Sequence, residues 1–208
     1  ELMINLRADS KLSTRIAFAE LQFATGKRAE LGAGGFGVVR RATWRATQVA
    51  VKLLHEQHMS PESRAAFLRE LDLMNSMRHP CIAQFIGAVT EPSHCAIITE
   101  FCPLGSVWRL CKKTSERNEL LSPALCLKVA PDCTAAIALL HANSIWHGHI
   151  KPDNLLVVST EAHAQVACKI TDFGTSRAVA MLGGQSLEPV RVNKRSSAVR
   201  LVSKRTDS

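Results

Sequence analysis

The sequence predicts an α+β fold in which a small antiparallel β lobe is followed by a mainly helical lobe. Residues 29–39 carry apolar residues on both sides of a glycine cluster, which indicates a strand, a tight turn and a second strand. Residues 48–53 alternate in the manner of a third strand. Apolar residues at helical spacing then predict a helix over 61–77 and a long helix that begins near residue 122.

The elements between these segments follow from shorter signals. We expect residues 1–28 to be a partly helical flank that Ser13 or Thr14 caps. Two further strands are predicted over 82–89 and 94–101, and a short hairpin over 155–158 and 166–170. Pro131 lies inside the long helix, where it removes one hydrogen bond and predicts a kink. Apolar periodicity fades from about residue 187, so we expect a disordered tail.

Composition narrows the class of protein. With 208 residues, 46% of them hydrophobic, the chain can bury the core of one large domain or two small lobes. The net charge of +8 suits acidic partners such as nucleotides, nucleic acid or anionic lipid, and a solvated basic surface is the plainer alternative. The basic tail lacks interleaved aromatic residues, so we do not expect nucleic acid as a partner.

The cysteines and the hydropathy predict the compartment. Seven scattered cysteines, an odd number with no C-x-x-C pair, argue against a disulfide framework and a zinc site. We therefore expect a reducing, cytoplasmic location. No membrane span is expected, because no apolar run approaches the roughly 18 residues that a spanning helix needs.

The glycine cluster is the first motif with chemical meaning. Gly32, Gly34 and Gly37, followed by Val39, fit a loop whose backbone N–H groups approach phosphate oxygens without an intervening side chain. A dinucleotide-binding fold uses similar glycines but requires a helix directly after the loop. Here a strand follows, which favours a phosphate-covering hairpin.

Lys52 is the second motif. It ends the otherwise apolar run of residues 49–52, and burying an unpaired ammonium group is costly. Glu70 on the following helix is the candidate partner. The pair would hold Lys52 against the α- and β-phosphates of a nucleotide. A snorkelling surface lysine is the alternative.

Two more motifs, residues 145–154 and 171–174, complete a set whose order and spacing resemble the protein kinases. The amino-acid sequence of residues 31–39, 42–45 and 49–52 is most similar to that of the tyrosine-kinase-like group. Lys151-Pro152 resembles the catalytic loop of the serine/threonine-specific members of that group. The resemblance covers about residues 16–187. It implies a two-lobed protein-kinase-like fold, with helix C on the small lobe and an incomplete, mainly helical large lobe. It also implies transfer of the ATP γ-phosphate to protein serine or threonine.

The resemblance also implies domain limits and residue roles. The limits are an N-terminal flank over 1–28, a kinase N-lobe over 29–101, a partial C-lobe over 102–187 and a basic tail over 188–208. Asn154 and Asp172 would hold Mg²⁺, and Lys151 would touch the γ-phosphate. The apolar spine that links the lobes would consist of Met74, Phe85, His147 and Phe173. The nucleotide-binding residues would be Leu31, Gly32, Gly34, Gly37, Val39, Ala50, Lys52, Thr99 as gatekeeper, Glu100 and Cys102 at the hinge, and Leu156.

The catalytic loop departs from the family pattern. Where the family has His-Arg-Asp, this chain has His147-Gly148-His149, so His149 stands at the position of the catalytic aspartate. That aspartate orients the substrate hydroxyl and accepts its proton, a contribution of about 10²–10⁴-fold. Gly148 replaces the arginine that pairs with a phosphorylated activation loop. We therefore expect severely impaired phosphoryl transfer and no switching by that route.

Alternatives to this interpretation stay open at this point. The family's Ala-Pro-Glu segment does not follow residue 186, and we expect a truncation, a frame change or an alternative exon. His149 could serve as the base of an active kinase. The chain could instead be a non-catalytic protein-interaction module or a non-functional fragment. A zinc site formed by His141, His147 and His149 is a further, weaker alternative.

Overall fold

The computed structural model describes residues 14–26, 29–35, 37–54, 61–91, 93–161, 163–174 and 176–178, with the backbone alone at 61–63, 66, 177 and 178. Six strands in these ranges form an antiparallel sheet in the order β1-β3-β4-β6-β5, and β2 also pairs with β3. One helix lies between β4 and β5. The bounds are β1 Gln22–Phe23, β2 Glu30–Gly34, β3 Gly37–Trp44, β4 Thr47–Leu54, α1 Pro61–Ser76, β5 Phe85–Glu91 and β6 His94–Glu100.

Strand alternation gives the sheet two buried faces. Val51 and Ile98 belong to a core on one face, with Ile16 packed against them. Ile97, the next residue of β6, belongs to a second core that contains Leu71 of α1. Because successive side chains of a strand point to opposite faces, Lys52 projects toward α1 while Val51 projects away from it. The strand period therefore decides that the lysine meets the helix.

The described part of the N-terminal flank, residues 14–26, packs on the small lobe. The described part contains a single 3-10 turn, Phe18–Glu20, and then β1, which pairs with β3. Ile16 is buried, and its N–H donates to the carbonyl of Ala88 at 2.9 Å. Contacts thus join the described part of the flank to the small lobe, and the boundary at residue 29 stays a prediction. Ser13, one of the two predicted caps, lies outside the described residues.

The second lobe begins after residue 101 and contains two helices and two short hairpins. Antiparallel pairs join β8 to β9 and β10 to β7, and the β8–β9 pair confirms the predicted hairpin near 155–170. The segment between α1 and β5 contacts the second lobe, because the N–H of Ile170 in β9 donates to the carbonyl of Cys81 at 2.8 Å. The bounds are α2 Val107–Glu116, α3 Pro123–Ala142, β7 Ile145–Trp146, β8 Leu155–Val157, β9 Cys168–Ile170 and β10 Arg177–Ala178.

Helix α3 has 20 residues and is long and apolar enough to cross a membrane, judged by length and composition alone. Lys128 and Asp132 interrupt its apolar sequence, and the expectation of no membrane span stays a prediction. In this fold its inner positions Asp132, Ala136 and Leu140 are buried in the protein. The helix is continuous across Pro131. Pro123 in its first turn fits the predicted start, since the missing N–H would have no helical partner there.

Candidate functional site

The glycine-rich segment forms the predicted hairpin between β2 and β3, with Gly32 opposite Val39 and Gly34 opposite Gly37. Gly37 has φ +150°, and a Cβ there would collide with the carbonyl oxygen of Leu53 on β4. A Cβ at Gly32 or Gly34 would meet nothing within 4 Å. Packing therefore requires glycine at Gly37 only. The other two glycines leave open space beside the strand, as a phosphate-covering loop needs.

Three charged side chains converge beneath this hairpin. Lys52 Nζ lies 2.9 Å from Glu70 Oε1 and 2.8 Å from Asp172 Oδ1, so the predicted pair forms and a second carboxylate joins it. Gly174 permits the cluster, because a Cβ there would lie 3.2 Å from Glu70 Oε2 and 3.3 Å from Lys52 Nζ. The lysine, 17% exposed, is therefore held by α1 on one side and by the 171–174 segment on the other.

Burial and mutual attraction oppose one another in this cluster. Burial alone would lower the pKa of Lys52, but the charges of Glu70 and Asp172 outweigh it and raise that pKa above its ordinary value. Burial raises the pKa of Glu70 more than Lys52 lowers it. For Asp172 the balance is reversed, because the charge and hydrogen bond of Lys52 overcome burial and leave its pKa lowered. Asp172 is consequently the more firmly ionised of the two carboxylates.

The predicted spine residues lie together. Met74, Phe85 and Phe173 belong to one buried core, and the rings of Phe173 and His147 are 5.0 Å apart at 59°. His147 Nδ1 accepts from the N–H of His149 at 3.3 Å, so Nε2 carries the proton of the neutral ring and donates to the carbonyl of Thr171 at 3.1 Å. Burial lowers the pKa of His147, in agreement with the neutral ring.

The catalytic-loop segment is tied directly to the segment that carries Asp172. Asn154 Nδ2 donates to the carbonyl of His149 at 2.9 Å, and Thr171 N–H donates to the carbonyl of Asn154 at 3.0 Å. Gly148 has φ +74°, which favours glycine over the arginine of the family pattern. These bonds place Asn154, Asp172 and His149 at one point, where the resemblance expects metal and substrate.

His149 lies beside Asp172, the carboxylate that is predicted to bind metal. Its Nδ1 lies 3.8 Å from Asp172 Oδ2. That nitrogen is inaccessible and makes no hydrogen bond with the described residues. Lys151 is half-buried just before the 3-10 turn Pro152–Asn154, and its ammonium group has no ion-pair partner in the part of the chain that the structure describes.

The predicted adenine contacts come from adjacent strands and the hinge. Ala50 on β4 lies opposite Thr99 on β6, and Val39 on β3 lies opposite Lys52. Leu31 and Leu156, on β2 and β8, are half-buried. The predicted adenine contacts thus lie on β2, β3, β4, β6 and β8.

At the hinge, hydrogen bonds already made restrict which backbone groups a ligand can use. Glu100 N–H donates to the carbonyl of Gln84, and the carbonyl of Cys102 accepts from the N–H of Gly105. The N–H of Glu100 and one acceptor position of the Cys102 carbonyl are therefore already occupied.

Two charged side chains with defined partners, the half-buried Lys169 and the buried Asp132, were missed by sequence reasoning. Lys169 Nζ binds both carboxylate oxygens of Glu100, at 2.7 and 2.8 Å, which anchors the hinge strand to β9. Asp132 Oδ2 accepts from the backbone N–H groups of Ala167 and Cys168, at 2.7 and 3.0 Å. The only sequence signal for Asp132 was a lone acidic residue in an apolar helix.

The histidine cluster considered as a zinc site does not assemble. His141 is exposed at the end of α3 and lies against Trp146, whereas His147 is buried against Phe173. Among the described residues, no group of three or more histidine, cysteine, aspartate or glutamate side chains could hold a metal ion. Asn154 and Asp172 remain the candidate metal-binding pair.

Comparison with known proteins agrees with this geometry. The sequence profile of the protein kinase domain matches residues 26–191, which is most of the chain. The chain belongs to the protein kinase family. It is 40% identical to the serine/threonine-protein kinase CTR1 of Arabidopsis thaliana over 150 residues, 71% of this chain and 18% of that protein.

Two further relatives extend the comparison. The probable serine/threonine-protein kinase gdt4 of Dictyostelium discoideum is 33% identical over 176 residues, 85% of this chain and 10% of that protein. The dual specificity protein kinase shkB of the same organism is 31% identical over 156 residues, 75% of this chain and 23% of that protein. The kinase chain described here therefore spans less than a third of the length of each of these relatives.

Proposed function

We propose that this kinase-family chain binds Mg·ATP in the cleft below the β2–β3 hairpin and transfers phosphate to protein serine or threonine poorly or not at all. One observation carries the proposal. The Lys52–Glu70–Asp172 cluster is assembled, but His149 occupies the position of the catalytic aspartate beside it. The charged residues proposed to bind the nucleotide are therefore present, whereas the residue that would accept the proton is replaced.

The residues fit a nucleotide with a divalent ion. Asn154 and the ionised Asp172 offer oxygen donors, which Mg²⁺ prefers. The amide nitrogen of Asn154 is used in the bond to His149, so its oxygen is the atom directed to a ligand. Lys52 offers a fixed positive charge to the phosphates. A bound divalent ion would neutralise charge on the transferring phosphoryl group.

His149 is poorly suited to the role of the aspartate. A general base must lie within hydrogen-bond reach of the hydroxyl that it deprotonates. Nδ1 of His149 is inaccessible and faces Asp172 at 3.8 Å, so only Nε2 could meet a substrate. A protonated imidazole at this distance would also repel a divalent ion that Asp172 binds. Both effects lower the rate of phosphoryl transfer.

The test is phosphoryl transfer by the purified chain to a generic basic protein substrate, with His149→Asp beside the wild type. We expect the substitution to raise the rate by about 10²-fold or more, the lower end of what a positioned general base contributes. His163→Asp is the matched control, because His163 is exposed in the loop after β8. That control should leave the rate at the wild-type level.

Each result separates the candidate functions. Wild-type turnover that His149→Ala abolishes would show an active kinase in which the histidine is the base, and the proposal of impaired transfer would fail. If wild type and His149→Asp both bind Mg·ATP but neither transfers phosphate, the result would favour a non-catalytic nucleotide-binding module. If neither protein binds Mg·ATP, the nucleotide-binding part of the proposal is overturned as well.

A further inference from the structure

Two thiols of the second lobe lie side by side, away from the nucleotide cleft. Cys133 is in the middle of α3 and Cys168 begins β9, and their Sγ atoms are 3.9 Å apart. Cys168 is fully buried, whereas Cys133 is partly exposed. The proposed nucleotide chemistry uses neither of them.

The backbone around the pair is fixed by the neighbour of Cys133. Asp132, the residue before Cys133, accepts through Oδ2 from the N–H groups of Ala167 and of Cys168 itself, so α3 and β9 are held together beside the two sulfurs. For a disulfide, the 3.9 Å between the Sγ atoms must shorten to about 2.05 Å. The hydrogen bonds to the Asp132 carboxylate are buried and charge-assisted, so they keep the two backbone segments beside the sulfurs in place.

We propose that Cys133 and Cys168 are a modification site, at which a hydroperoxide oxidises the two thiols to an intramolecular disulfide. The bond would join α3 to β9. Residue 168 lies four positions before Asp172, so the cross-link would reach the segment that carries the predicted metal-binding carboxylate.

The chemistry balances with hydrogen peroxide as the oxidant. The Cys133 thiolate attacks one peroxide oxygen; an S–O bond forms, the O–O bond breaks, and the released hydroxide takes up a proton as water. The Cys168 sulfur then attacks Cys133 sulfenic acid; the S–S bond forms, the S–O bond breaks, and the departing hydroxide leaves as water with the thiol proton. Two thiols lose two electrons, and one peroxide yields two waters.

The order of the two steps follows from the surroundings. The hydrogen bond from Cys168 lowers the pKa of Cys133, which favours its thiolate, and Cys133 is the thiol that solvent reaches. The same contact, together with burial, raises the pKa of Cys168. Cys133 is thus the peroxide-reactive thiol and Cys168 the resolving thiol.

The sequence makes the product easy to detect. Between Lys128 and Lys169 the only other trypsin site is Lys151, which Pro152 protects, so both cysteines fall in one peptide, residues 129–169. That peptide contains no third cysteine. The full chain is treated with hydrogen peroxide, and free thiols are then blocked with N-ethylmaleimide. The protein is digested with trypsin, and the peptide masses are measured by mass spectrometry. We expect an unlabelled peptide about 2 Da lighter than the dithiol form, which takes up two labels after reduction with dithiothreitol.

Variants assign the roles. Cys168→Ala should stop the reaction at a Cys133 sulfenic acid that dimedone traps, and Cys133→Ser should leave Cys168 reduced. Cys126→Ser is the matched control, because Cys126 is an exposed thiol on the same helix, and it should leave the disulfide yield unchanged. Cys81→Ala removes another buried thiol near the pair and should also leave the disulfide yield unchanged.

The proposal is overturned if the 129–169 peptide carries two N-ethylmaleimide labels after peroxide treatment, which means that both thiols stayed reduced, while Cys126 of the same sample is oxidised. It is equally overturned if the peptide is found cross-linked to Cys81 or Cys126 instead. The readout on unmodified wild type does not depend on the folding of any variant. It is also independent of nucleotide binding, so it stands whether or not the proposed function holds.

Discussion

His149 Nδ1 lies 3.8 Å from Asp172 Oδ2, and this contact joins the altered position of the catalytic loop to the predicted metal-binding carboxylate. Asp172 is held from its other oxygen by Lys52 at 2.8 Å. One carboxylate thus lies between a permanent cation and an imidazole. The balance of these groups should govern both nucleotide binding and stability, and it can be probed one residue at a time.

Lys52→Met should abolish stabilisation by Mg·ATP, because it removes the cation that would face the phosphates. With ligand at about 100 times Kd, binding stabilises the folded wild type by about 2.7 kcal/mol. The measurement is thermal unfolding with and without Mg·ATP. Lys112→Met is the matched control, since Lys112 is exposed on α2 against Trp108, and it should keep the full shift. An unchanged shift in Lys52→Met would place the nucleotide elsewhere.

His147 should make the folded protein less stable as the pH falls below the ordinary histidine pKa of 6.5. Burial lowers its pKa in the folded protein below the ordinary 6.5, so the unfolded chain binds the proton first as the solution is acidified. Its contribution is fully present above the unfolded-state pKa and is lost as the pH falls through the folded-state pKa. Urea unfolding at a series of pH values should show a shallower decline in His147→Gln than in wild type. His163→Gln, at an exposed site, should keep the wild-type slope, and equal slopes in all three would contradict the assignment.

Gly37→Ala should destabilise the β2–β3 hairpin. The positive φ disfavours alanine, and its Cβ would collide with the carbonyl of Leu53, a combination that costs about 1–3 kcal/mol. Gly35→Ala is the matched control, because a Cβ there meets nothing within 4 Å, and its effect should stay within about 0.5 kcal/mol. Chemical denaturation measures both, and equal losses would show that the hairpin is not built as described.

Asp132→Ala should be among the most damaging substitutions outside the cleft. It removes the acceptor for the N–H groups of Ala167 and Cys168, and each buried donor left unsatisfied costs about 1–3 kcal/mol. Asp132→Asn should cost less, since an amide oxygen can still accept both bonds. The free energy of unfolding in urea gives the comparison. A loss as large in the asparagine variant as in the alanine variant would mean that charge, not hydrogen bonding, is what matters there.

Local patterns were sufficient for the main elements of the fold. The glycine hairpin, the helix that begins at Pro61 and the β8–β9 pair each depend on turn chemistry or periodicity within about 10–20 residues, a range that a sequence displays directly. The strand β1 in the flank was not predicted, because it is only two residues long and depends on pairing with β3, which is distant in sequence. Helix α3 was predicted from its start signal and apolar residues, but the sequence did not reveal that Asp132 is buried in it.

The sequence by itself determined the order of the motifs, the family, the candidate partner of Lys52 by its helical position, and the replacement of the catalytic aspartate by His149. Only the tertiary structure decided that Asp172 shares Lys52 with Glu70, that His149 Nδ1 faces Asp172, and that Cys133 lies beside Cys168. The physical reason is distance along the chain. Those contacts join residues separated by 18 to 120 positions, and their geometry depends on how the two lobes and their buried charges pack together.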